Sequence, residues 1–95
     1  MAIAYNNLGL IYQIRGDLEQ AEAMYRKALG LNEGLGSKEG MAYAYNNLGN
    51  VYRTRGDLEQ AEAMYKKSLV LFQDIGAAPQ VERVQRLLGG LRQSD

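Results

Sequence analysis

The side chains of this chain that could do acid–base chemistry are carboxylates: Asp17, Asp57, Glu19, Glu22, Glu59 and Glu62. General acid or base work would need one of them held in a tuned environment, and nothing in the surrounding pattern marks one. Their positions explain them otherwise, the aspartates as acceptors at helix starts and the glutamates as solvent-side helix charges. Cysteine and histidine are absent, which removes a thiolate nucleophile, an imidazole base, a disulfide and the usual zinc ligands. Gly9-Leu10 and the other glycines lack the Lys-Ser or Lys-Thr that follows a phosphate loop. The chain is therefore expected to be no enzyme and to need no cofactor, metal or small-molecule substrate. Recognition chemistry is better represented. Asn46, Asn50 and Arg53 fall at i, i+4 and i+7, on one face of a helix whose opposite side carries Tyr45 and Tyr52. Amides both donate and accept, which suits peptide backbone, and a guanidinium can meet a carboxylate in a two-pronged pair. The alternative is that these asparagines satisfy only neighbouring helices or water.

Composition narrows the partners. Eleven basic and eleven acidic residues leave no net charge, which argues against general phosphate binding or a membrane-surface role. Residues 81–95 hold Arg83, Arg86 and Arg92 against Glu82 and Asp95, too weak an excess for a basic tail. Tyrosines interleaved with arginines can stack on nucleic-acid bases. Here six of the seven, Tyr5, Tyr12, Tyr25, Tyr45, Tyr52 and Tyr65, recur at fixed interior offsets, so packing accounts for them and Tyr43 alone is expected to be exposed. No run of about 18 apolar residues occurs and no leader-like start is present, so a cytoplasmic location is the expectation.

The elements that would position these residues come in two copies. Residues 5–29 read YNNLGLIYQIRGDLEQAEAMYRKAL and residues 45–69 read YNNLGNVYRTRGDLEQAEAMYKKSL, with residues 15–25 recurring unchanged at 55–65. A forty-residue period marks a stacked helical-repeat protein. A first helix over residues 1–14 carries Tyr5, Leu8, Ile11 and Tyr12 inward, with Gly9 allowing a second helix to approach. Gly16 suits a left-handed C-cap and Asp17 an N-cap supported by Gln20. The second helix, over 18–32, buries Leu18, Ala21, Tyr25, Ala28 and Leu29, and Glu22 and Arg26 form a solvated i, i+4 pair. The stretch 34–37 ends the unit, with Leu35 tucked against the hairpin base. The second unit repeats the plan with helices over 38–54 and 58–74, where Ser68 would return its hydroxyl to a preceding backbone carbonyl. Pro79 opens a third helix, whose Val81, Val84, Leu87, Leu88 and Leu91 make an apolar face ending in the polar residues 92–95. Leu88-Gly89 keeps the register of Leu48-Gly49, so this helix reads as a degenerate cap.

The pattern resembles the tetratricopeptide repeat, through Tyr5, Leu8-Gly9, Tyr12, Ala21, Tyr25 and Ala28, and through Tyr45, Leu48-Gly49, Tyr52, Ala61 and Tyr65, with Ser68 departing at the last small position. The missing proline and the period of forty in place of thirty-four resemble the longer-helix subclass of kinesin light chains and animal G-protein signalling modulators. The resemblance implies one all-α domain over residues 1–95, with antiparallel helix hairpins in a right-handed superhelical stack: repeat 1 at about 2–34, repeat 2 at about 38–75 and a capping helix at about 79–92. It implies a groove for a peptide segment of a partner protein, lined by Ile3, Asn6, Leu10 and Gln13 from the first unit and by Tyr43, Asn46, Asn50 and Arg53 from the second. Asn7 and Asn47 would flank it. The expected role is a non-enzymatic protein-binding scaffold. The alternative is self-assembly or domain swapping into a homo-oligomer, through Ile3, Ile11 and Met24 at one end and Leu87, Leu88 and Leu91 at the other.

Overall fold

Residues 1–93 are described in the computed structural model, with side chains through residue 91. Ser94 and Asp95, the end of the expected polar tail, lie outside the described residues. Five helices follow one another: α1 (Ala2–Ile14), α2 (Leu18–Leu35), α3 (Lys38–Arg55), α4 (Leu58–Asp74) and α5 (Ala78–Gln93). Each packs on the next in sequence, while α1 also meets α3. The result is an all-α stack in which α1, α3 and α5 share one side and α2 and α4 the other.

A single turn, used four times, builds this arrangement. Gly16, Gly36, Gly56 and Gly76 stand twenty residues apart with φ between 69° and 82°, and among the described residues no other residue type has a positive φ. In each turn the N–H after the glycine bonds back to the carbonyl of residue 12, 32, 52 or 72, at 2.9 Å every time. This closure satisfies the last helix carbonyls and reverses the chain within two or three residues. Because the turn within a hairpin and the turn between hairpins share one geometry, the forty-residue repeat is two twenty-residue strides. The next helix then starts on a side-chain acceptor: Asp17 takes the Gln20 N–H at 3.2 Å, Asp57 that of Gln60 at 3.3 Å and Ser37 that of Gly40 at 3.1 Å. Pro79 sits in the first turn of α5.

Packing inside each hairpin is set by a glycine under a tyrosine ring. A Cβ placed on Gly9 or Gly49 would come within 2.5 Å of Cε1 of Tyr25 or Tyr65. Both rings are buried. A mid-helix glycine costs about 1 kcal/mol in helix propensity, whereas burying a large apolar side chain returns about 2 kcal/mol, so the exchange favours the hairpin. Tyr65, Phe72, Leu48, Val51 and Val84 continue the core through the second hairpin into α5.

Several local expectations need correction. Helix α2 runs on to Leu35 with Gly34 inside it. Leu35 is exposed rather than tucked in, because it takes the outward place before the turn glycine that Arg15, Arg55 and Ile75 hold in the other three turns, all of them exposed. The Ser68 hydroxyl donates across to the Ala42 carbonyl of α3 at 2.7 Å instead of turning back on its own helix, since α3 and α4 touch there at two fully buried small residues. Leu8 and Ile11, expected inside, are exposed, whereas Leu48 and Val51 at the same places of the second unit are fully buried: α3 packs between α2 and α4, while α1 packs on α2 with only a small contact to α3. At the far end Leu91 is buried and Leu87 and Leu88 are half-buried, so α5 offers less apolar surface than its pattern indicates.

Candidate protein-binding face

The face shared by α1 and α3 carries the eight residues singled out from the sequence, and the structure divides them. Asn6 and Asn47 meet between the two helices, with the Asn47 Nδ2 donating to the Asn6 Oδ1 at 3.4 Å. Gln13 accepts from the buried Tyr25 hydroxyl at 2.8 Å. One turn earlier in register, Asn50 accepts from the hydroxyl of Tyr65 through its Oδ1, and its backbone carbonyl takes the Thr54 hydroxyl at 2.9 Å. These four amides have structural partners. Asn50 nevertheless keeps its NH2 group on the face, because Tyr65 uses only the oxygen.

The others are turned outward or left open. Ile3, Leu10 and Arg53 are exposed, as is the flanking Asn7. Asn46 is half-buried, and its Oδ1 is enclosed without a hydrogen-bond donor, alone in this among the described side chains. Tyr43 corrects the expectation of exposure. Its ring stands edge-on to Phe72, 5.1 Å between centroids at 80°, and its hydroxyl accepts from Gln80 of α5 at 3.1 Å. Phe72 needs an aromatic edge to pack on, and Tyr43 supplies it, so half of this side chain belongs to the core.

Burial raises the Tyr25 and Tyr65 phenols above their ordinary value, with Arg53 pulling slightly the other way on Tyr65. Both therefore act as neutral donors, orienting Gln13 and Asn50 from beneath the face.

Glu22 and Arg26 are not a mere solvated pair. The Glu22 carboxylate accepts from Arg26 Nε at 3.0 Å and from the Tyr52 hydroxyl and Arg55 Nη1 at 2.7 Å each, while Arg26 also donates to the Tyr52 oxygen. Burial alone would raise the Glu22 carboxyl, but the hydrogen bonds from Tyr52, Arg55 and Arg26 outweigh it and hold it below its ordinary value. This cluster clamps α2 to α3. Sequence reasoning missed it because its members stand about thirty residues apart; the only trace was the duplication itself, which repeats a glutamate and an arginine with nothing local to join them.

Also unforeseen are two equivalent hollows on the other side of the hairpins. Tyr5 and Tyr45 each lie under a lysine, Lys27 at 5.6 Å and Lys67 at 5.4 Å from the ring centre. Met1 and Leu31 flank the first and Met41 and Leu71 the second. Among the described residues no cluster of His, Cys, Asp or Glu could hold a metal ion, and no helix is long and apolar enough to cross a membrane.

In comparisons with known proteins, the crystal structure of BtubC (BKLC) from P. vanneervenii superposes with a TM-score of 0.68 over 98% of this chain, at 22% identity. This chain spans 47% of that one, and at such identity the likeness speaks for the fold. No curated protein matches by sequence. The family model of the tetratricopeptide repeat matches residues 1–74, and with the paired helices, the shared turn and the glycine-under-tyrosine packing already described, the chain belongs to the tetratricopeptide repeat family.

Proposed function

We propose that this chain binds a segment of another protein along the face shared by α1 and α3, without catalysis, as a module of the longer-helix kind that its forty-residue period resembles. The observation that carries this reading is the Asn46 Oδ1, enclosed at that face with no donor. An unpaired buried acceptor costs about 1–3 kcal/mol, and a backbone N–H of a bound segment would remove that cost. The neighbouring groups define the ligand. Ile3 and Leu10 offer apolar contact beside α1, the NH2 of Asn50 a donor, and exposed Arg53 a partner for a carboxylate. The segment is thus apolar toward α1 and acidic toward the C-terminal end of α3. Self-association through the end helices, the other reading, finds little free surface at α5, where Leu91 is buried.

The test is selection from a displayed peptide library, followed by calorimetric titration of the winning peptide. Asn46→Ala should weaken binding at least tenfold, about 1.4 kcal/mol, while thermal stability stays level or rises. Unchanged affinity together with lower stability would mean that Asn46 serves the fold, and the reading would fail.

A further inference from the structure

The hollows beneath Lys27 and Lys67 take no part in the proposed binding face, and they differ in a way that the duplication makes plain. The one between α3 and α4 is lined by Met41 and Tyr45 of α3 and by Lys66, Lys67, Val70 and Leu71 of α4, and holds about 390 Å³. Its counterpart between α1 and α2 holds about 310 Å³ and has Gly30 where the larger one has Val70. Val70 is 55% exposed, outside the packed core. Place 66 differs as well. Its equivalent Arg26 is bound to Glu22 and to the Tyr52 hydroxyl, whereas Lys66 lines the hollow and meets Glu62 at 2.9 Å. The second unit thus has an apolar wall and a second cation at its hollow that the first lacks.

We propose that the hollow between α3 and α4 is a binding site for a single-chain aliphatic carboxylate, its tail lying on Met41, Tyr45, Val70 and Leu71 and its carboxylate on Lys67. Size and lining suit a small ligand, since such sites hold about 300–1,000 Å³ and are mainly apolar with a few polar groups that fix orientation. The charge of the ligand follows from Lys67. Its ammonium stands 5.4 Å from the Tyr45 ring centre, against the ring's negative face. Among the described residues no carboxylate lies within ion-pair distance of it. An ammonium has three N–H donors, so those turned away from the ring are open to an anion. Among the described residues no acidic side chain lines the hollow, and an amine there would be repelled by Lys66 and Lys67. The same repulsion opposes a second copy docking hollow to hollow. The tail is aliphatic because flexible Met41, branched Val70 and Leu71 and the methylene stems of the lysines make up the walls. This site shares no residue with the face around Asn46, so either can be filled without the other.

The probe is sodium decanoate, kept below its micelle concentration and titrated into the full isotope-labelled chain, with amide and methyl shifts as the readout. Changes should appear first at Met41, Val70 and Leu71, and only at higher concentration at Leu31 beside the smaller hollow. Lys67→Glu should weaken the first set at least about tenfold, while Lys67→Arg keeps the affinity within about threefold. Lys67 is exposed, so both variants keep the fold, which unperturbed shifts of α1 and α2 would verify. Decyltrimethylammonium, with the same tail and the opposite charge, should bind at least about tenfold more weakly. Equal binding of the two amphiphiles would overturn the proposal, as would unchanged affinity in Lys67→Glu. So would shifts centred on Ile3, Leu10 or Ile11, the exposed apolar residues of α1, or filling of the smaller hollow first. An absence of shifts at about 1 mM decanoate, the range of the weakest useful sites, would overturn it too.

Discussion

Replacing Gly49 by alanine should destabilise the chain, although alanine is the better helix former. In an open helix position the exchange gains about 1 kcal/mol. At Gly49 the added Cβ would stand 2.5 Å from Cε1 and 2.6 Å from Cδ1 of Tyr65, where carbon atoms prefer about 3.5–4.0 Å. The overlap of roughly 1 Å has no cheap release. Tyr65 is fully buried, and its hydroxyl is tied to Asn50. Helices α3 and α4 must part or the ring must leave its rotamer, at about 1–3 kcal/mol for an overpacked site. With no cheap release for an overlap of this size the cost falls in the upper part of that range, about 2–3 kcal/mol, and set against the propensity gain the net loss is about 1–2 kcal/mol, or very roughly 4–16 °C in Tm for a chain of this size. Gly30, also inside a helix, has nothing within 4 Å of its would-be Cβ, so Gly30→Ala should gain up to about 1 kcal/mol. Urea unfolding of the three proteins by circular dichroism gives both signs in one experiment. If Gly49→Ala proves as stable as the parent, or both variants shift the same way, the glycine-under-tyrosine account of the hairpin is wrong.

Other consequences are simpler to state. Glu22 has a folded pKa below its ordinary value, so its contribution is fully present above the ordinary carboxylate pKa and is lost as pH falls through the folded one. Glu22→Gln should thus cost about 1–2 kcal/mol at pH 7, with the gap to the parent closing under acid as chemical unfolding is repeated at lower pH. Ser68→Ala removes the 2.7 Å bond to the Ala42 carbonyl and should cost about 1 kcal/mol in the same unfolding assay, whereas Ser68→Thr should suffer from overfilling a fully buried site. Asp57→Ala deletes the cap of α4 and should cost about 1 kcal/mol. Hydrogen exchange should then show faster opening of residues 58–61.

What the sequence made legible was whatever lies within one helix or one turn. The caps at Asp17 and Asp57, the left-handed Gly16 and Gly56 and the inward Tyr25 and Tyr65 all follow from local rules, and the structure has each in place. Contacts between helices were not legible where a side chain of neutral aspect finds a distant partner. Ser68 reaches Ala42 on another helix, Tyr43 is drawn inward by Phe72, and Glu22 is claimed by Tyr52 and Arg55. Leu8 and Ile11 were misread for the reverse reason, since their apolar period is real but the cover that it implies lies outside α1 and α2. For the candidate face, spacing put Asn46, Asn50 and Arg53 on one side of α3. It carried no sign that Asn50 would be engaged from below by Tyr65 while Asn46 stayed unpaired.

The two units share most of their packing residues and differ on the proposed binding face, and on that reading the division lets one scaffold hold a direction. Gly9 and Gly49 receive the same ring at the same distance, so the hairpins are interchangeable as structure. On the proposed binding face Leu10 is replaced by Asn50, Gln13 by Arg53 and Ile3 by Tyr43. The replacements also change which amide holds the tyrosine hydroxyl. With leucine at position 10, Tyr25 turns to Gln13; with asparagine at position 50, Tyr65 turns there, and Arg53 is left free of that task. A guanidinium thus stands exposed at the second unit where the first has an amide engaged in its own core. A ligand laid across both units would meet an apolar end and a cationic end, and reversing it would set its carboxylate against Ile3 and Leu10. If the chain binds along this face as proposed, the polarity of binding follows from three exchanged side chains on a largely duplicated frame.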